Sequence, residues 1–276
     1  MVLKRGDNNE TVKKIQKVLG VEQVGNFGPK TETAVKEWQK KNGLVADGIV
    51  GPATLAKMGI VVEAAAPKAA APVKANNTPT ADAKYSKDKI KAVIDAKGYK
   101  WFEGDYVLNI VGVRNSDTGT AVTNAFDDKI TLSYMAEGKW VYKEWMNTTD
   151  PGTKGVKEYH NAAGVARLVP GQYINSHFLG KHQGKYEALK QIGKVKVYRD
   201  ANRDMNYDEK VIQEGVFGIN IHKAGANSTY VENWSEGCQV FKRAADFEEF
   251  MTIVRASAAK GNTKFTYTLI ESKDIA

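Results

Sequence analysis

With one cysteine in 276 residues, the chain cannot close a disulfide on itself. It also lacks any run of about 18 apolar residues, the length a membrane helix needs, so no membrane insertion is expected. Its start, Met1-Val2-Leu3-Lys4-Arg5-Gly6-Asp7, has neither the apolar stretch nor the cleavage site of a secretory signal. The expectation is a chain that stays inside the cell that makes it or leaves by a route other than its own signal. Basic-plus-aromatic stripes of the kind that track single-stranded nucleic acid are missing as well, and nucleic acid is not an expected partner. The net charge of +8 would suit any anionic polymer, so charge alone selects none. Proline is scarce, and three of the seven (Pro67, Pro72, Pro79) fall in one short stretch.

That stretch, 61–84, also holds nine alanines and almost nothing bulky after Val62. It cannot bury enough apolar area to offset its ordering entropy, and its prolines favour extended conformations. It reads as a linker between two domains, 1–60 and 85–276. The expected class is multidomain: a small all-α three-helix module, the Ala/Pro linker, then a mainly β (α+β) domain.

In the first domain, Asn9 is placed to cap a helix that buries Val12, Ile15 and Leu19 and stops at Gly20. Pro29 and Pro52 fit the first turns of a second and third helix. The second carries Ala34, Val35 and Trp38 along one face and ends at Gly43; the third carries Leu55 and Met58. The positions Gly6, Val12, Gln16, Leu19, Gly25, Phe27, Gly28, Thr31, Ala34, Val35, Trp38, Gln39, Gly43, Leu44, Asp47, Gly48, Gly51, Thr54 and Leu55 together resemble the type-1 peptidoglycan-binding domain over its whole length. The resemblance implies peptidoglycan, its glycan or its stem peptides, as the partner. Most of these residues read as structural, with Asp47-Gly48 turning the chain and Trp38 and Leu44 in the core.

From Tyr85 onward, short strands are punctuated by glycine and aspartate. Strands are predicted at 106–114, 129–135, 139–145, 194–199, 216–221 and 264–270. Helices are predicted after Ser86, closing at Gly98, and from Asp246, where Asp246 and Glu249 have the spacing of a capping box.

The chemistry concentrates in GINIHKAGANSTYVENWSEGCQVFKR, where His222 precedes Ser235-Glu236-Gly237-Cys238 by a spacing of sixteen residues to the cysteine. A thiol near pKa 8.5 is only a few per cent thiolate at neutral pH, so a nucleophilic cysteine needs a base or cation beside it. A histidine ending one strand and a cysteine starting the next can meet, and period-two alternation sets His222 on the face opposite Ile221. Cys238 is thus the candidate nucleophile and His222 its base. Gly237 would let the backbone approach a scissile carbonyl, with amides around Gly237 and Cys238 as oxyanion donors. Ser235 would orient the loop or contact substrate. The pattern resembles the L,D-transpeptidase (YkuD-type) signature, closely over 216–243 and loosely at RLVPGQYI, 167–174. The resemblance implies an acyl-enzyme enzyme working on peptidoglycan stem peptides. Two departures stand out: Glu236 sits where many members carry a second histidine, and Val240 where many carry arginine. They tilt the expectation toward water as acceptor, and with the missing signal toward a hydrolytic phage or prophage lysin. The alternatives are a cross-linking bacterial L,D-transpeptidase and a non-catalytic wall-binding or virion structural protein.

No cofactor is required by this chemistry. Asp200, Asn202, Asp204, Asn206 and Asp208 place oxygen side chains at alternate positions, like the first half of a calcium loop, but without its glycine at the sixth place or its glutamate at the twelfth. A solvated turn is the plainer reading, with structural calcium beside it. His160, His177 and His182 lack the spacing of a zinc motif. Trp101, Trp140 and Trp145 read as core, and Trp234 as a residue that could line the cleft.

Overall fold

The computed structural model describes residues 3–7, 10–60, 83–158, 161–225 and 228–275. The chain divides into two compact units on either side of about residue 70, a helical one and then a mainly β one, the multidomain α+β class expected. The segment read as a linker lies outside the described residues except for Ala83 and Lys84, and so does Asn9, expected as a cap.

The first unit contains α1 (Glu10–Leu19), α2 (Pro29–Lys41) and α3 (Pro52–Lys57). Both prolines stand in the first turn, where a missing N–H costs nothing. Val12, Ile15, Phe27, Val35, Val50 and Leu55 form the core, with Trp38 packed on it. Leu44, expected among them, is half-buried outside that cluster. A feature that hydrophobic spacing did not reveal is a duplication. The buried Gln16 donates Nε2 to Asn26 O and Thr31 Oγ1, and its Oε1 accepts from Gly25 N. Gln39, shifted by 23 residues, does the same with Ile49 O, Thr54 Oγ1 and Gly48 N. Each amide meets its groups inside the core, which lets a polar side chain organise a turn where few large apolar residues are available.

The second unit opens with α4 (Lys87–Ala96), capped as expected by Ser86 Oγ accepting from Lys89 N, and closed at Gly98 in the left-handed region. Its strands and helices follow in order: β1 (Asn109–Arg114), β2 (Asp128–Ala136), β3 (Lys139–Thr148), α5 (Thr153–Lys157), β4 (Val165–Leu168), β5 (Gly171–His182), β6 (Tyr186–Gln191), β7 (Val195–Asp200), β8 (Ile212–Gly215), β9 (Ile221–Lys223), β10 (Gln239–Phe241), α6 (Ala244–Ala259) and β11 (Lys264–Glu271). Eight strands close a barrel in the order β1-β11-β5-β6-β9-β10-β3-β2, and β4-β7-β8 form a separate small sheet. Two barrel pairings are parallel, β1 with β11 and β9 with β10. Phe247, Phe250, Met251 and Val254 of α6 join Trp145, Phe241 and Tyr267 in the main core.

Two local expectations are corrected. The helix α6 starts at Ala244, and no capping box forms: Asp246 pairs with Arg243 at 2.8 Å, while Glu249 accepts from Trp145 Nε1 at 2.9 Å. The strand expected at 216–221 is irregular up to Ile221, because Gly218 takes φ +79° and breaks the alternation. Side chains replace the missing ladder. Gln191 Oε1 accepts from Phe217 N and Ile219 N, and His177 Nε2 bonds Ile219 O at 2.8 Å.

Candidate active site

Strands β9 and β10 run parallel, with Val240 opposite His222 and Gln239 opposite Ile221. Gln239 N donates to Asn220 O at 2.8 Å, which brings Cys238 beside the segment leading into His222. Both residues line one cleft of about 810 Å³, together with His182, Lys185, Tyr186, Lys223, Trp234 and Glu236. The irregular 216–220 segment and the short strands thus hold the candidate nucleophile and base at the same opening.

The turn before Cys238 is braced from within. Ser235 Oγ donates to Cys238 O at 2.8 Å and accepts from Gly237 N at 3.1 Å. Ser235 is 1% exposed, so it shapes the turn and is not placed to meet a substrate. Gly237 adopts φ +140°, and a Cβ there would stand 2.1 Å from Ala166 O. The close approach that demands glycine is therefore to β4. The neighbouring Ala166 N donates to Glu236 O at 2.9 Å, and Gly152 N to Ser235 O at 3.0 Å, so β4 and the start of α5 form the floor of the turn.

Behind that floor lies a buried ion cluster. Arg114, 2% exposed, pairs with Asp150 at 2.8 Å and donates to Thr149 Oγ1, Thr149 O and Leu168 O. Asp150 also pairs with Arg167 at 2.9 Å, and the two guanidinium groups hold its carboxyl below the usual range against the opposing effect of burial. The cluster ties β1, the end of β3 and β4 into one support.

Electrostatics place both candidate residues in their neutral forms. Burial pushes the Cys238 thiol up to about 11, the charge of Glu236 adds to this, and a backbone hydrogen bond from Asn220 opposes it. The thiol donates to Gly218 O at 3.3 Å, and among the described residues no hydrogen bond joins it to His222. Burial and the neighbouring His182 lower His222 to about 4. Its Nδ1 lies 3.0 Å from Lys223 O, a bond that fixes the proton on Nδ1 and leaves the Nε2 lone pair open. Tyr186 Oη is a longer neighbour of the same nitrogen, at 3.4 Å.

His182 and Tyr186 are the cleft residues that sequence reasoning missed as such. The His182 ring stacks on His222 with centroids 4.1 Å apart. Both residues come from the β5–β6 hairpin, whose turn at Gln183-Gly184 has two positive φ angles. A glycine between two half-apolar runs was the available signal. Trp234 does line the cleft and is 42% exposed. Val240 is fully buried with Phe126, Ala224 and Val231, and Arg243 is turned toward Asp246, so neither supplies the arginine of the signature.

The run at Asp200–Asp208 lies elsewhere, beginning at the last residue of β7. Among the described residues no three His, Cys, Asp or Glu side chains are gathered to hold a metal ion as they stand. His177 is spent on Ile219 O, His182 on the stack with His222, and His160 lies outside the described residues.

Comparison with known proteins adds one firm match. Residues 8–58 fit the family model described as putative peptidoglycan binding domain. A curated but uncharacterised protein of Kitasatospora aureofaciens is 41% identical over 64 residues, 21% of this chain and 54% of that protein, so the chain spans about half of that relative. A solved peptidoglycan-binding protein from Clostridioides difficile, in complex with glutamine hydroxamate, is 44% identical over 21% of this chain and 40% of its own, at a TM-score of 0.21. An L,D-transpeptidase from Xylanimonas cellulosilytica aligns over 98% of this chain and 97% of its own at 16% identity and a TM-score of 0.24. A fused Zn-dependent amidase/peptidase/peptidoglycan-binding protein from Clostridium acetobutylicum aligns over 98% and 99% at 15% identity and a TM-score of 0.29. TM-scores this low carry no argument about fold or chemistry.

Proposed function

From a chain whose residues 8–58 match a putative peptidoglycan binding domain, we propose a cell-wall enzyme: a cysteine peptidase or acyltransferase that cuts peptidoglycan stem peptides through a thioester on Cys238. One observation carries the reading. Cys238, just before β10, and His222, in the adjacent parallel strand β9, open onto the same cleft.

In this reading His222 acts as a general base on a neutral thiol. As a peptide carbonyl enters, Cys238 Sγ bonds to its carbon and the thiol proton passes to His222 Nε2. The amide C–N bond then breaks, and the same proton goes to the leaving amine. Water, or an amine from a second stem peptide, attacks the thioester and returns the thiol. Gly237 N is already engaged by Ser235 Oγ, so the Cys238 N–H is the amide of this turn that would face the developing oxyanion. The acceptor we favour is water, which makes the chain a hydrolytic lysin. The observation behind that choice is the burial of Val240, since among the described residues the cleft is then lined by lysines and histidines without a guanidinium to hold an acceptor carboxylate.

The test uses purified sacculi and the full chain. Wild type should release soluble muropeptides, and intact mass with a tetrapeptide muropeptide should show an adduct on Cys238. Cys238→Ala should do neither while still sedimenting with sacculi. Lysis retained by Cys238→Ala would end the cysteine mechanism; new cross-links in place of release would move the reading from hydrolysis to transpeptidation. With the thiol raised by burial, iodoacetamide should label Cys238 of the resting protein more slowly at neutral pH than it labels a free cysteine.

A further inference from the structure

The run from Asp200 to Glu209 contains an unexplained polar atom. Asp200 is 1% exposed; its Oδ1 accepts from Arg203 N at 3.1 Å, but its Oδ2 is buried without a hydrogen-bond partner. Glu209 Oε1 is in the same condition, so two of the four such side-chain atoms among the described residues fall within ten positions of chain. An ionised oxygen withdrawn from water without a partner is costly, and native structures rarely leave one so.

We propose that this run binds one divalent cation of calcium's kind, with Asp200 as the buried anchor and Asn202, Asp204, Asn206 and Asp208 supplying the further oxygens. All the side chains offered are oxygen donors, which suits a hard cation and disfavours zinc. The departure from a calcium loop noted in the sequence is partly made good by the backbone. Met205, at the sixth place, takes φ +65°, the left-handed conformation for which such loops use glycine. At present neutral donors occupy the carboxylates: Asn202 Nδ2 gives to Asp204 Oδ2 at 2.8 Å and Asn206 Nδ2 to Asp208 Oδ2 at 3.3 Å. Asp204 and Asp208 are exposed, so the ion completes its shell by exchanging those amide contacts for its own.

The position gives the ion a structural task. Asp200 ends β7 paired with Val165 of β4, and the next residue of β4, Ala166, holds Glu236 in the floor beneath Cys238. Within the run, Met205 O accepts from Val122 N, and Tyr207 Oη donates to Pro151 O at 2.6 Å. A cation here would clamp the 120–122 segment, the start of α5 and β4 together, independently of what Cys238 does.

The experiment is a calcium titration of the full chain after EDTA treatment and dialysis. Calorimetry with CaCl2 should show one saturable site with a Kd of about 10⁻⁴ M, within the range of extracellular calcium modules. Calcium should raise the melting temperature, by linkage, more than equal magnesium does. Asp204→Asn, an exposed change, should weaken binding about tenfold. Asp200→Asn removes the buried charge, so it should keep or raise the melting temperature in EDTA while losing the calcium response. Absence of saturable heat up to about 10 mM CaCl2, tenfold beyond the weakest such modules, overturns the site. So does an Asp204→Asn variant that binds as wild type does, or a magnesium response equal to calcium's.

Discussion

The two units satisfy their polar groups across very different lengths of chain. In the first, Gln16 and Gln39 find every partner within 15 residues. In the second, Asn124 reaches Glu232 across 108 residues, Gln172 reaches Lys100 across 72, and Ser116 meets Ser272 across 156. The first is a set of local turns latched by two amides; the second is held by contacts that exist only once the barrel has closed. A sequence read in windows sees the former and is nearly blind to the latter.

The comparison breaks most severely at Arg114. Arg114→Met would leave Asp150 with Arg167 as its remaining guanidinium partner and empty three hydrogen bonds, a loss of about 3 kcal/mol, the low end for a buried pair cut on one side. Calorimetry should show the transition of the β unit falling while that of the helical module stays where it was. Equal shifts in both would show that the units do not unfold separately.

Acid should separate the units next, because all four histidines lie beyond residue 159. Burial lowers His177 to about 4, against about 6.5 when unfolded, so the unfolded chain takes up the proton first. The sign follows: His177 contributes stability that is complete above pH 6.5 and is lost as pH falls toward 4, about 3 kcal/mol in all. Asp128, raised to about 7 by burial and by Asp150, acts in the opposite sense over the same range. The histidine contribution is therefore read as the difference between wild type and His177→Asn. Wild type should lose ground to the variant between pH 6.5 and 4; a flat difference would show that His177 is not held neutral by the fold.

The smallest effect sharpens the comparison from the other side. Gln39→Leu leaves Gly48 N and Ile49 O without their partner and should cost the module about 1–3 kcal/mol. Gln16→Leu should cost a similar amount if the two latches are equivalent, with the β unit unmoved in both. A β-unit transition that shifts with either variant would contradict the locality of the latches.

Legibility follows the same division. The three helices, their two N-terminal prolines and the apolar face of α1 could be read directly, since each depends on neighbours in sequence. The duplication could have been read too, from Gln16, Gly25 and Thr31 recurring as Gln39, Gly48 and Thr54. In the β unit, strands with strong alternation were legible, and so was the Ser-Glu-Gly-Cys turn. What escaped was set from a distance. Gly218 breaks the 216–221 strand because Gln191 and His177 are there to take its backbone groups. The reason for Gly237 was misplaced for the same cause: its neighbour is Ala166, from another strand. The neutrality of Cys238 and His222 depends on burial, which no local pattern reports.

The pairing of β1 with β11 has a consequence for how the chain is made. Ile110 lies beside Tyr267, and Val113 beside Ile270, so the first strand of the barrel waits for residues more than 150 positions later to be synthesised. Until Lys264–Glu271 leaves the ribosome, β1 presents one bare edge and the apolar face of α6 has no closed barrel to fill. The core of the helical module among the described residues lies within 3–60 and can form long before. During synthesis the chain is thus a finished helical unit trailing an open sheet, and truncation before Lys264 would leave that sheet open permanently.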